Sequence, residues 1–432
     1  MSWETSRALT TIPSPMKSPR KTGPSLDLAK TPLLYLLLGG LWLLPACAGK
    51  IIRETEAKPS SPVGAKIETT VPTWLGNPSR SFYGTGPWSD APLQVVWEIE
   101  TKWTTGRLHK DPWGGTSWPG QPSVDEHYVY FGSADSYLYC LDVRDGSVVW
   151  SFKAEDSLKA TPTIAGDRLI ASGLDHSVYC INRQDGRLLW KFKTGFEVDG
   201  TSSVIDGKIY FGGEDGFYYC LNLEDGTLVY KTERLGSMEG SSTVVDGRIY
   251  VGTEQGDLFC LKMADGSTVW KARIGADSDS TPAVANGLVY TAAEDGYVYC
   301  FRQSNGELVW KFKAEGGFSK YRKERSGFWA SPIVANGRVH IGSNNGYMYC
   351  LTADTGEVVW QRLVRAPIWG TAPIVDGRLV FGDKSGWLYT LFADDGHLIG
   401  ELKIGDNVNA TPAVLAGRIY VGAFNGKLYC LK

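Results

Sequence analysis

Seven cysteines recur at near-constant intervals in this 432-residue chain, at Cys140, Cys180, Cys220, Cys260, Cys300, Cys350 and Cys430, each directly after a tyrosine or phenylalanine. The stretch GYVYCFRQSNGELVWKF at residues 296–312 is one example. Thiols so regularly placed suggest a disulfide framework in an exported protein, or metal ligands if histidines join them. The spacing argues against both. No CxxC pair and no adjacent Cys-Cys occurs, and His109, His127, His176, His340 and His397 lack metal-ligand spacing. A nucleophile elbow is absent as well.

The elements that position these residues follow from their period. The markers lie 40 residues apart, with ten extra residues before Cys350 and with Thr390 standing where a cysteine is missing. Within one unit, TSSVIDGKIYFGGEDGFYYCLNLEDGTLVY, short alternating apolar runs are separated by Asp206-Gly207, Asp215-Gly216 and Asp225-Gly226. Such pairs supply the positive φ that tight hairpin turns need. No helical periodicity follows residue 90, so the expected class is all-β, with four short antiparallel strands per unit.

A ring is favoured over a solenoid by the two ends of the repeat region. The last unit reaches Lys432 without the tryptophan-bearing strand found ten residues after Cys140 and Cys300. QVVWEIE at residues 94–100 matches SVVWSFK at residues 147–153, so Trp97 takes the missing tryptophan's place. This predicts an eight-bladed β-propeller of four-stranded antiparallel blades over residues 94–432, closed by an N-terminal strand that leaves no unpaired edge at the seam.

CLDVRDGSVVW at residues 140–150 resembles the tryptophan-docking motif of the quinoprotein alcohol dehydrogenase superfamily, with Cys where that family usually has Ala. CINRQDGRLLW, CLKMADGSTVW, CFRQSNGELVW and CLTADTGEVVW repeat it. Tyr230 in blade 3 and Gly400 in blade 7 depart from the motif, and looser blade contacts are expected there. The resemblance implies a PQQ-like propeller. Family dehydrogenases hold pyrroloquinoline quinone under a disulfide between neighbouring cysteines, with calcium on carboxylate and amide oxygens. Without such a pair, and with a shorter body, neither PQQ nor calcium is expected here.

Function in a propeller is sought where the ring departs from its own repeat. TTGRLHKDPWGGTSWPG at residues 104–120 precedes blade 1, and GGFSKYRKERSGFW at residues 316–329 precedes blade 6; both should emerge on one face. The position 21 residues before each marker should lie at the mouth of the central channel. It holds Pro119, Lys159, Asp199, Glu239, Asp279, Trp329, Trp369 and Asn409, followed in each case by Gly, Ala or Ser. Adjacent carboxylates repel unless Lys159, a cation or a basic partner neutralises them; the alternative is a wet mouth that tolerates charge. Trp113, Trp118, Trp329 and Trp369 suggest an aromatic platform for a peptide or sugar, against an alternative of loop packing. Lys320, Arg322, Lys323 and Arg325 suggest an anionic partner, against an alternative of a solvated charge run.

At the N-terminus, residues 33–46 (LLYLLLGGLWLLPA) form a 14-residue apolar run after Lys17, Arg20, Lys21 and Lys30. That is the layout of a secretory signal, short for a membrane span. The run ends in Leu44-Pro45-Ala46-Cys47, which resembles a bacterial lipoprotein cleavage box and implies lipidation of Cys47; an uncleaved anchor or plain secretion is the alternative. Residues 1–47 therefore read as a signal peptide with lipobox. Residues 48–93, polar and rich in Pro, Ser, Thr and Gly, read as a flexible tether and lead-in, of which the Arg80-Ser-Phe-Tyr-Gly stretch already packs on the body.

A net charge of −3 gives no overall attraction to nucleic acid. The expectation is a monomeric, non-enzymatic scaffold, exported and lipid-anchored in the bacterial periplasm, on the outer membrane. It resembles the propeller lipoproteins of outer-membrane β-barrel assembly, and its expected partners are envelope proteins or glycans. A quinone- or sugar-binding enzyme or sensor is the alternative.

Overall fold

At Asp206 and Gly207, φ is 49° and 71°, and this left-handed pair turns the strand Ser203–Ile205 back onto Lys208–Gly212. Asp and Asn tolerate that region because their short side chains bond locally. Tyr218–Asn222 and Leu228–Lys231 then complete one four-stranded antiparallel sheet. The computed structural model describes residues 70–81, 83–89, 91–101, 120–315 and 327–432. It contains eight such sheets, as the repeat predicts. One short 3-10 turn, Trp74–Gly76, is the sole helix among the described residues, so none there is long and apolar enough to cross a membrane.

The eighth sheet closes the ring in the expected way. Val95–Glu100 pairs antiparallel with Lys427–Leu431, with Trp97 opposite Cys430. Every other marker cysteine likewise faces an aromatic residue of the outer strand, as Cys140 faces Trp150 and Cys300 faces Trp310. Each of these tryptophans reaches the next blade. The Trp150 indole donates to Arg183 O at 3.1 Å, and that of Trp97 donates across the seam to Val143 O at 3.0 Å. A glycine lies under each ring: a Cβ on Gly186 would sit 2.6 Å from the Trp150 ring, and one on Gly146 2.7 Å from that of Trp97.

The two motif departures do not loosen the ring as expected. Tyr230 substitutes fully, its hydroxyl donating to Met263 O at 2.8 Å and its ring covering Gly266. Gly400 has no turn to dock on, because the outer strand of blade 8 arrives from residues 95–100 rather than through a hairpin. Leu93 packs there instead, 3.7 Å from where a Gly400 Cβ would be.

Packing of the lead-in is more extensive than its composition suggests, and already involves Val71, nine residues before Arg80. Val71 forms a bridge with Val124, Pro72 O accepts from Ile164 N, and Gly84 bridges Val414. A Cβ on Gly84 would lie 2.0 Å from Val414 O, so only glycine allows that approach. Arg80 is 2% exposed and uses all its donors: Nε to Ser242 O, Nη1 to Trp74 O and Thr73 Oγ1, Nη2 to Thr201 O and Ser203 Oγ, at 2.7–3.3 Å. Thr201, Ser203 and Ser242 lie at the starts of the inner strands of blades 3 and 4, so Arg80 ties the lead-in to both blades.

All seven repeat cysteines are free and buried. Burial pushes the thiols of Cys140 and Cys300 up to about 12 and those of Cys350 and Cys430 to about 11. They fill small apolar sites opposite the docking aromatics, which explains their tolerance of Thr390. Thiolate is the reactive form, so the native ring is expected to leave these seven unlabelled by an aromatic disulfide reagent and to release all seven in denaturant. Labelling of any repeat cysteine in the native state would contradict this packing role.

Candidate functional site

Around the axis, hydroxyl side chains join neighbouring blades. The backbone N–H groups of Gln121, Thr161, Thr201, Thr281, Ser331 and Thr371 donate to hydroxyls of Thr161, Thr201, Ser241, Ser331, Thr371 and Thr411 at 2.8–3.1 Å. Blade 1 carries Gln121 where the others have a hydroxyl. Its amide spans the seam, donating to Pro412 O at 2.7 Å and accepting from Leu75 N at 2.8 Å. One step nearer the mouth, the small residues are required sterically: a Cβ on Gly240 would lie 2.6 Å from Asp279 O, and one on Gly370 2.6 Å from Asn409 O.

Above this collar, the structure brings together the rim residues that fall within it. Lys159, Asp199, Glu239, Asp279, Trp329, Trp369 and Asn409 all line one axial well, with Trp74 of the lead-in. The well has a volume of about 70 Å³, enough for several waters or one small head group. Of the other candidates, Pro119, Trp113, Trp118, Lys320, Arg322, Lys323, Arg325 and Cys47 lie outside the described residues.

Charge in the well is unbalanced. Lys159 Nζ lies 3.0 Å from Asp199 Oδ2, with Asp199 buried and Lys159 half-buried. Glu239 and Asp279 are crowded by like charge instead and are hydrogen-bonded to each other. Burial, then Asp199, raises the Glu239 carboxyl to about 7, with Asp277 and Glu254 adding to it and Lys159 opposing. Asp279 is raised well above the carboxylate range by burial, then by Glu239, Asp277 and Glu294. Beside them, Glu214 reaches about 9 through burial and the charges of Asp199, Glu197 and Glu239, against Lys159. Among the described residues, the acidic grouping close enough to share one ion is Glu197, Asp199 and Glu214, with ligand atoms within 4.8 Å of one another.

Of the four tryptophans expected on the aromatic side of the rim, two are among the described residues. Trp329 and Trp369 have ring centroids 4.1 Å apart at 44°. Trp329 Nε1 donates to Glu294 Oε1 at 2.9 Å, and the Lys384 ammonium lies 3.9 Å from the Trp369 centroid. Sequence reasoning missed Trp74, Glu214, Glu294 and Lys384, which come from the lead-in and from turns between second and third strands. Only the period of 40 could have placed the turn residues over the rim.

These shifts fix the sign of a pH effect. Glu239 and Glu214 have folded values above their unfolded ones, so between about 4.5 and 9 the native state binds more protons than the unfolded state, and stability falls as pH rises. The thermal midpoint is expected to be higher at pH 5.5 than at pH 8, and E214Q with E239Q should flatten the difference. A midpoint that rises with pH, and still does so in the double variant, would contradict the charge crowding.

With this geometry in view, the chain matches the family described as outer membrane protein assembly factor BamB over residues 94–234, 175–259, 231–326 and 254–432. No curated protein sequence matches it. Among solved structures it is similar to the quinohemoprotein alcohol dehydrogenase of Comamonas testosteroni, with a TM-score of 0.70 at 13% identity over 84% of this chain and 80% of that one. A europium-containing methanol dehydrogenase gives 0.70 at 13% over 84% and 98%. BamB from Moraxella catarrhalis gives 0.53 at 17% over 79% and 99%. At these identities the likenesses establish the eight-bladed fold.

Proposed function

This chain belongs to the family of the outer membrane protein assembly factor BamB, and on that premise we propose that it is a non-enzymatic periplasmic scaffold that docks a protein partner on the channel-mouth face of its propeller, in outer-membrane protein assembly. The observation that carries this reading is the family match across residues 94–432. Lipidation at Cys47 would tether the ring to the envelope. A rim of charge and aromatic surface around a well of about 70 Å³ suits side-chain docking better than enclosure of a substrate.

The dehydrogenase reading is favoured by the higher TM-scores of the alcohol and methanol dehydrogenases. The residues do not fit the quinone. The repeat cysteines are buried singly, with no vicinal pair to lie over the ring system, and the well falls below the roughly 300 Å³ at which cofactor sites begin. Crosslinked capture of the full-length protein from native envelopes should recover subunits of the β-barrel assembly machinery. Recovery of none, together with tight quinone binding and dye-linked alcohol oxidation by the purified protein, would replace the scaffold with an enzyme.

A further inference from the structure

On the face away from the mouth, blade 1 departs from its own repeat in a further way. The position of Tyr128 is an arginine in blades 2, 4, 6, 7 and 8. Arg168 Nη1 donates to Glu224 O at 3.2 Å and Arg418 Nη1 to Val143 O at 2.8 Å, so these arginines join a blade to a turn of the next. Between blades 1 and 2 the joint is made from the other side. Arg183 of blade 2 stands where blades 1, 3 and 4 have Val143, Leu223 and Met263. Its Nε donates to the Tyr130 hydroxyl at 2.9 Å, its Nη1 to Gly166 O at 2.9 Å and its Nη2 to Asp125 Oδ2 at 2.6 Å. Asp125 replaces the aliphatic residue found at Ile205 and Val245, and its Oδ1 accepts from His127 N and Tyr128 N at 2.7 and 2.8 Å. That carboxylate shapes the one inner hairpin that has Glu-His in place of a glycine-bearing pair.

The exchange leaves a groove of about 500 Å³ between blades 1 and 2, lined by Tyr128, Tyr130, Trp150, Asp167, Arg183 and Gln184 together with Gly166. Small-molecule sites span about 300–1,000 Å³. His127, Tyr128, Tyr130 and Trp150 form an aromatic series whose successive centroids lie 6.1–6.2 Å apart. Tyr130 is buried at its base, while Tyr128 and Trp150 are half-buried. Arg183 has five N–H groups, of which the three bonds above engage three, and its side chain is 28% exposed. Gln184 and Asp167 are exposed beside it, Asp167 holding Arg168 only at 3.8 Å. An anion does not match the groove, because Asp125 already balances the Arg183 charge. An added peptide strand does not match either, because the strand Tyr128–Gly132 is paired along both edges. What matches is a ring with an apolar C–H face to lie on a phenol and a rim of hydroxyls that both donate and accept. We propose that this groove binds an uncharged pyranose ring, stacked on Tyr128 and hydrogen-bonded by Arg183, Gln184 and Asp167. The groove shares no residue with the axial well, so the proposal stands apart from the docking reading above.

The test uses the purified full-length protein with glucose, N-acetylglucosamine and the trimer of each as probes, followed by calorimetry and by saturation-transfer NMR of the sugar protons. Saturable binding of at least one probe is expected, with a dissociation constant near or below about 1 mM and with transfer concentrated on one face of the ring. A trimer that binds more tightly than its monomer assigns the groove to a glycan chain, and equal binding assigns it to a free sugar. Y128A should weaken binding about tenfold and Q184A severalfold, while E307Q on an outer strand should leave it unchanged. The most telling variant is Y128R, which restores the arginine of the other blades: it should keep the thermal midpoint, fill the groove and weaken binding more than tenfold. No saturation by about 10 mM of any probe, or undiminished binding by the folded Y128R variant, would overturn the proposal. So would binding that is lost in W329A and kept in Y128R, which would place the sugar at the channel mouth.

Discussion

Replacing Trp329 by alanine, alone and with Trp369, is expected to reduce capture of the envelope partner by a factor of about 30 or more while leaving the propeller folded. Central aromatic anchors in desolvated sites typically contribute about 2–4 kcal/mol to an interface, and these two rings, 4.1 Å apart, line the well on neighbouring blades. Trp329 is half-buried and its indole N–H is spent on Glu294, so truncation removes contact area together with one hydrogen bond. Trp369 is 7% exposed and packs beneath it, so the single W329A variant separates binding from folding. The measurement is quantitative crosslinked recovery at matched expression, with circular dichroism to check the fold. Full recovery by a folded W329A/W369A protein would remove the aromatic rim from the docking face.

The second large effect concerns stability. Arg80→Ala is expected to cost about 3 kcal/mol and to lower the thermal midpoint by roughly 4 °C. The guanidinium is fully enclosed without a carboxylate beside it, and burial brings it down to about 9. Its charge is therefore costly, and carbonyl oxygens of Trp74, Thr201 and Ser242 offset that cost. Removing it leaves those buried acceptors empty and unties the lead-in from blades 3 and 4. Arg80→Lys keeps the charge but not the fork that spans blades 3 and 4, so it should recover little of the loss. An unchanged midpoint for R80A would mean that the lead-in is not part of the cooperative unit.

What was legible in the sequence was what the period repeats. Cysteines 40 residues apart, Asp-Gly turns and the Trp97 strand specify eight sheets and their seam, because each unit must bury the same face against its neighbour. Counting back 21 residues from each marker placed seven described residues on one well for the same reason. Features that occur once were not legible. Gln121 spans the seam, Leu93 fills the site over Gly400, and Arg80 pins a strap whose Pro, Ser and Thr content reads as linker. Tyr230 reads as a looser contact because its residue type differs from tryptophan, although a phenol on the same strand reaches the equivalent carbonyl. Composition reports propensity, whereas these residues are held by partners more than 30 positions away.

The central claim, that this member of the BamB family docks its partner through the mouth face, is tested most directly by a photo-crosslinking residue placed in turn at Phe196 and at Asp206. Both positions are exposed and belong to the approach and inner hairpin of blade 3, Phe196 on the mouth side and Asp206 at the opposite turn. In living cells, Phe196 is expected to give adducts with subunits of the β-barrel assembly machinery and Asp206 to give none. Adducts of equal yield from both positions, or from Asp206 alone, would contradict the account.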